Sequence, residues 1–115
     1  MQPVVQIGYV DNIYSRMMYF KNKGDIEIGH THQFDHLTLL AKGSLQVTVD
    51  GVTTDFVAPH MIYIHADKVH ELVALTDETV AYCIHALRDN AGNIIDTSMI
   101  PNGVDIRQIA APLCT

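Results

Sequence analysis

Cationic residues are scarce in this chain. Seven lysines and arginines stand against thirteen aspartates and glutamates, for a formal net charge of −6 with neutral histidine, and no basic run occurs. That excludes nucleic acid and anionic membrane surfaces as main partners. Cysteine is scarce too. Cys83 lies in an apolar run and Cys114 beside the C-terminus, too few for the disulfide framework of a small secreted domain. Both read as reduced thiols, which points to a cytoplasmic protein. No apolar run nears the roughly 20 residues of a membrane helix. The opening MQPVVQIGYVDN has no basic region and no long apolar core, so no signal peptide is expected. No internal repeat, low-complexity tract or linker is visible, and no segment forms a convincing ten-residue amphipathic helix.

What is present is apolar sequence with a period of two. Apolar residues make up 48% of the 115 residues, enough for one packed domain over 1–115. In SLQVTVDGVTTDFVA, Leu45, Val47 and Val49 alternate with Gln46 and Thr48. Asp50-Gly51 then supplies a hairpin turn, and a returning strand runs from Thr53 to Val57. Further strands are expected at VVQIGYV, IYSRMMYF, MIYIHA (61–66), HELVAL (70–75) and TVAYCIHAL (79–87), with a turn over 88–93. IIDTSMI predicts one more short strand, and DIRQIAA (105–111) a single turn of helix. Eight or nine short strands at close spacing predict an all-β sandwich or barrel.

Seven histidines, at 30, 32, 36, 60, 65, 70 and 85, raise the question of a metal site. His30 and His32 share one face of a strand, with Cα atoms about 6.6 Å apart. Two imidazoles so placed can converge on one ion through metal–nitrogen bonds of about 2.0–2.1 Å. A His-x-His pair on an exposed strand is also common without metal. His36 has the same parity, yet a straight strand would set it about 20 Å from His30. It joins them only if the chain bends at Gln33-Phe34-Asp35.

The spacing over residues 24–43 resembles the first motif of the cupin superfamily, G-x5-H-x-H-x3,4-E-x6-G. Gly24, His30, His32, His36 and Gly43 fall at its intervals, with His36 where the family usually has glutamate. The second motif, G-x5-P-x-G-x2-H-x3-N, falls on residues 59–74 and keeps only its metal-binding histidine, His70. Fifteen residues separate the two. The resemblance implies a single-domain cupin double-stranded β-helix, a jelly-roll barrel. In it the first-motif ligands lie around a bend and the second-motif histidine faces them. It implies His30, His32, His36 and His70 as ligands of one divalent transition metal, and a homodimer.

Histidine in place of glutamate leaves both charges of the ion uncompensated by protein. That favours an anionic or chelating small-molecule substrate. It also favours Fe2+, Ni2+, Cu2+ or Zn2+ over Mn2+, because imidazole suits those ions. The all-histidine set resembles that of cupin dioxygenases, so a non-haem iron dioxygenase is the leading expectation. A metal-dependent sugar-acid isomerase or lyase and a non-catalytic ligand-binding module stand as alternatives. Tyr63 and His65 share strand parity ahead of His70 and are candidates to line the pocket as proton donor or acceptor; a core role for Tyr63 is the competing reading. Asp35 and Glu71 neighbour ligands, but adjacency turns them to the opposite face. His60 reads as a surface turn residue. His85 could face inward or outward. Met17, Met18, Tyr19 and Phe20 read as core or interface rather than pocket wall.

Overall fold

In a computed structural model, which describes residues 1–30 and 34–95 apart from the side chains of Gly29 and His30, the chain forms two antiparallel sheets. The strands are β1 (Val4–Val10), β2 (Ile13–Phe20), β3 (Ile26–His30), β4 (His36–Lys42), β5 (Ser44–Val49), β6 (Val52–Val57), β7 (His60–Ile64), β8 (His70–Ala74) and β9 (Thr79–Ala86). One sheet runs β1-β2-β9-β4-β7 and the other β3-β8-β5-β6. Among the described residues no helix is long and apolar enough to cross a membrane. The strand expected over 94–100 and the helical turn over 105–111 lie largely or wholly outside the described residues. Within them, Ile94 bridges Arg88 across the 88–93 turn.

The period of two becomes an inner and an outer face. Tyr14, Met18 and Phe20 of β2 are buried, as are His36, Thr38 and Leu40 of β4, Ile62 and Ile64 of β7, and Thr79, Ala81 and Cys83 of β9. From the facing sheet come Leu45, Val47, His70, Leu72 and Ala74. Each large aliphatic side chain among them contributes about 1.5–3 kcal/mol by leaving water.

Two turns need a left-handed backbone. Asp50 (φ 46°) and Gly51 (φ 81°) close the β5–β6 hairpin as a type I′ turn requires. Gly43, at φ 85°, joins β4 to β5, and a Cβ there would clash with the Thr79 hydroxyl and lie 2.8 Å from that of Thr76. Those hydroxyls stitch the barrel's closed end: Thr76 Oγ1 accepts from Ser44 N at 3.0 Å, and Thr79 Oγ1 donates to Thr76 O at 2.9 Å.

Register stacks the interior in layers. Tyr14 pairs with His85, Arg16 with Cys83, and Met18 with Ala81. Thr38 pairs with Cys83 and Ile62, and His36 with Ile64. Opposite, Val49 pairs with His70 and Val47 with Leu72. One end of the barrel is therefore aliphatic, the middle holds Arg16, Thr38 and Cys83, and the other end gathers the histidines.

Candidate metal centre

His36 opens β4 and His70 opens β8, so each sits where its strand enters the barrel from a loop. Both are buried, at 4% and 3% exposure. They face each other from opposite sheets with ring centroids 5.0 Å apart and planes inclined at 54°. A metal–nitrogen bond of about 2.0–2.1 Å puts a ligating ring's centroid about 3 Å from the ion, so two neighbouring ligands have centroids about 4.5–5 Å apart. The His36–His70 pair fits that requirement. His70 Nδ1 donates to Lys68 O at 3.3 Å, which leaves Nε2 as the nitrogen with a lone pair.

His30 is the Cα partner of His70. Glu27 pairs with Leu72, and a bulge between Glu27 and His30 shifts the register by one residue. That shift brings His30, three positions beyond Glu27, opposite a buried position again. His32 lies outside the described residues. Of the four expected ligands, two therefore meet ring to ring, and a third shares the ladder of His70 by its backbone. Among the described residues, no three His, Cys, Asp or Glu side chains form a metal-holding group.

His85 belongs to the inner face, on the parity of buried Ala81 and Cys83. The β4–β9 register, continued by one residue, sets it opposite His36. Its ring stacks on buried Tyr14 at 4.5 Å and lies 4.2 Å from Phe34. Its Nδ1 donates to Ala86 O at 2.6 Å, so Nε2 is the basic nitrogen of the neutral ring.

Below this layer Arg16 and Glu27 form an ion pair at 3.0 Å, with side chains 20% and 14% exposed. The pair bridges the two sheets. Arg16 is the one cation on the inner face among the described residues. Cys83, its partner across the ladder, contacts the Thr38 hydroxyl at 3.6 Å. Burial pushes the Cys83 thiol up to about 11, with Thr38 and Arg16 pulling weakly the other way.

Tyr63 and His65 stand elsewhere than expected. Ile62 and Ile64 take the inner face of β7, so Tyr63 and His65 point outward and are exposed, packed edge to face at 4.7 Å. Neither lines the histidine layer. Tyr63 OH instead donates to Asp35 Oδ2 at 2.5 Å, and Ala66 N donates to Asp35 Oδ1 at 2.6 Å. The Tyr63 hydroxyl, then the Ala66 amide, hold the Asp35 carboxyl below its ordinary range, and the same bond raises Tyr63. Asp35 does face away from the barrel, as adjacency to His36 implied. Glu71 likewise alternates with buried His70 and Leu72. His60 is exposed but begins β7, with its ring 4.7 Å from Phe56. Met18 and Phe20 are core, whereas Met17 joins Gln6, Ser15 and Tyr82 around a groove of about 400 Å³ on the outer face. That groove lies on the other side of the sheet from the histidines.

No family model and no curated protein matches the chain. Solved structures do. KdgF from Halomonas sp. aligns over 76% of this chain and 80% of its own, with a TM-score of 0.65 and 16% identity. A cupin superfamily protein from Desulfitobacterium hafniense DCB-2 aligns over 75% and 80%, at TM-score 0.62 and 18% identity. An RmlC-like cupin family protein with a double-stranded β-helix fold, from Methanocaldococcus jannaschii, aligns over 74% and 80%, at TM-score 0.65 and 10% identity. The chain has the cupin fold, the all-β double-stranded β-helix that the resemblance of its histidine motifs implied.

Proposed function

We propose that His36 and His70, together with His30 and His32, hold one divalent transition metal at the open end of the barrel, with Fe2+ favoured, and that the protein is a metal-dependent enzyme acting on a small anionic, chelating substrate. A dioxygenase reaction is the leading form. The observation that carries this reading is the buried His36–His70 pair, 5.0 Å between centroids. Two buried imidazoles facing each other at this separation can share one ion.

When bound, the metal supplies Lewis acidity and, as iron, the redox capacity for O2 chemistry. The chain's own groups supply the rest. His70 is held in one tautomer by Lys68 O. Tyr14 and Phe34 form an aromatic wall that keeps water from one side of the histidine layer. Arg16, beneath that layer, contributes a fixed positive end suited to a substrate carboxylate, with Glu27 holding the guanidinium in place.

His85 favours a second reading. With Nδ1 tied to Ala86 O, it presents a basic nitrogen toward the inner layer, which suits proton transfer in a lyase or isomerase on sugar acids. Fe2+-loaded protein is offered a panel of small keto and hydroxy acids with an oxygen electrode. Oxygen uptake tied to substrate loss supports the dioxygenase; turnover at the same rate without oxygen supports the lyase or isomerase. One bound metal with no turnover across the panel overturns both and leaves a ligand-binding module.

A homodimer and a cytoplasmic location complete the proposal. Residues alternating with the core on β1, β2, β9 and β7 carry no charge, and Val4, Val10, Ile13 and Met61 are more than half exposed. Such a face suits self-association in a chain of net charge −6. The buried free thiol of Cys83 suits a reducing compartment.

A further inference from the structure

We infer that Asp35 is a positioning residue: its carboxylate ties the segment entering β4 to the loop entering β8, and so sets the separation of His36 and His70. The inference rests on reading those two histidines as metal ligands.

The two rings sit at strand ends rather than at mid-strand positions, His36 paired with Ile64 and His70 with His30 and Val49. Each opens its strand, so the contacts of the preceding loop residues help to fix it. Asp35 is joined to His36 by the peptide bond. Through Oδ1 it accepts from Ala66 N, in the connection 65–69 that delivers His70. Through Oδ2 it accepts from Tyr63 on β7, the strand beside β4, where Leu37 pairs with Tyr63. One carboxylate thus touches both ligand-bearing segments. Both bonds have an ionised acceptor, roughly twice as strong as neutral ones.

The far end of the same connection is fixed separately. Val69 N donates to Asp50 Oδ1 at 2.9 Å, and Asp50 N donates to Val69 O at 2.8 Å. Lys68 pairs with Asp50 at 3.2 Å, and Lys68 O accepts from His70 Nδ1. The His36–Ile64 pairing holds the end of β7 and Asp50 holds the start of β8, so Asp35 is left to fix how the connection between them, from Ala66 on, sits against the segment that delivers His36. A carboxylate on the outer surface thereby governs a distance inside the barrel.

Co2+ binding to the metal-free full chain tests this, read by titration calorimetry and by the visible absorption of the bound ion. Asp35→Ala should weaken Co2+ about tenfold and alter the absorption bands, as loss of groups that orient ligands does. Tyr63→Phe, which keeps the ring and deletes one hydroxyl, should weaken it about threefold. Asn12→Ala serves as the comparison. It removes two side-chain–backbone hydrogen bonds of the same kind, to Arg88 O at 2.8 Å and from Arg88 N at 2.6 Å, and should leave Co2+ affinity within about twofold. Wild-type affinity in Asp35→Ala overturns the positioning role, as does an equal loss in Asn12→Ala, which would tie affinity to general stability. Should Asp35→Ala not fold, Tyr63→Phe decides alone: weaker binding supports the role and unchanged binding overturns it. Failure of the wild-type chain to bind Co2+ overturns the metal reading itself, and the positioning role with it.

Discussion

His36 and His70 face each other across the barrel with ring centroids 5.0 Å apart, each buried and each the first residue of its strand. The fold alone does not require this. The remaining inward positions of β4 and β8 are Thr38, Leu40, Leu72 and Ala74, which pack as an ordinary core. The buried histidines gather at the end where the loops enter, on the rigid scaffold that a site needs.

His36→Glu tests the charge of the site. A carboxylate there cancels one of the ion's two charges and offers a hard oxygen. The variant is expected to keep one equivalent of metal while the Mn2+/Ni2+ affinity ratio rises about fivefold or more. Competition dialysis measures it. An unchanged ratio contradicts the charge argument.

The Arg16–Glu27 pair gives a stability test. Arg16→Leu leaves a largely buried carboxylate without its cation and is expected to cost about 3 kcal/mol in urea unfolding. The double variant Arg16→Leu with Glu27→Leu removes both charges and should recover most of that loss. If the double variant is as unstable as the sum of the singles, the two residues act independently and the pair is not the bridge described.

Gly43 and Gly24 separate conformation from contact. Both have positive φ, 85° and 93°, but only at Gly43 would a Cβ collide with neighbours. Gly24→Ala is expected to cost about 1 kcal/mol and Gly43→Ala about 3 kcal/mol or more. Thermal melts of the two variants check the order, and equal losses would contradict it.

Cys83 should be inert in the folded protein. In a Cys114→Ser background, iodoacetamide at pH 8 should label it only on unfolding. The pH dependence has a definite sign. Below pH 9 both states keep the thiol proton, and the contribution is constant. Between 9 and about 11 the unfolded chain releases the proton first, so stability falls with rising pH, by about 3 kcal/mol in all. Cys83→Ala should flatten that slope, and an unchanged slope would place its origin elsewhere.

Much of the barrel is legible in the sequence. The segments VVQIGYV and IYSRMMYF are β1 and β2 with the boundaries observed, and alternation marks the β5–β6 hairpin, whose returning strand begins one residue earlier than expected, at Val52. The MIYIHA strand stops two residues early, at Ile64, since the Ala66 amide bonds to Asp35. Faces are harder to read than strands. In MIYI both parities are apolar, because the outer face of that sheet is itself apolar, so Tyr63 reads equally as inward or outward. The same ambiguity covers His85 in AYCIHAL. Arg16 and Glu27 look like solvent-facing charges until long-range pairing brings β2 and β3 together. Asp35 reveals its role only once Tyr63 and Ala66 are placed beside it. His36 enters through the resemblance to the first cupin motif, whose intervals set it three intervening residues beyond His32 and ahead of Gly43, a glycine at φ 85°; strand geometry by itself leaves it about 20 Å from His30.

Metal stoichiometry tests the central claim most directly. Protein purified without affinity tag or chelator is dialysed against Fe2+ under nitrogen and its metal counted by mass spectrometry, beside His36→Ala and His70→Ala. The account predicts one equivalent in the wild type and under about a tenth of that in each variant. Full metal in either variant, or none in the wild type after reconstitution, would contradict it.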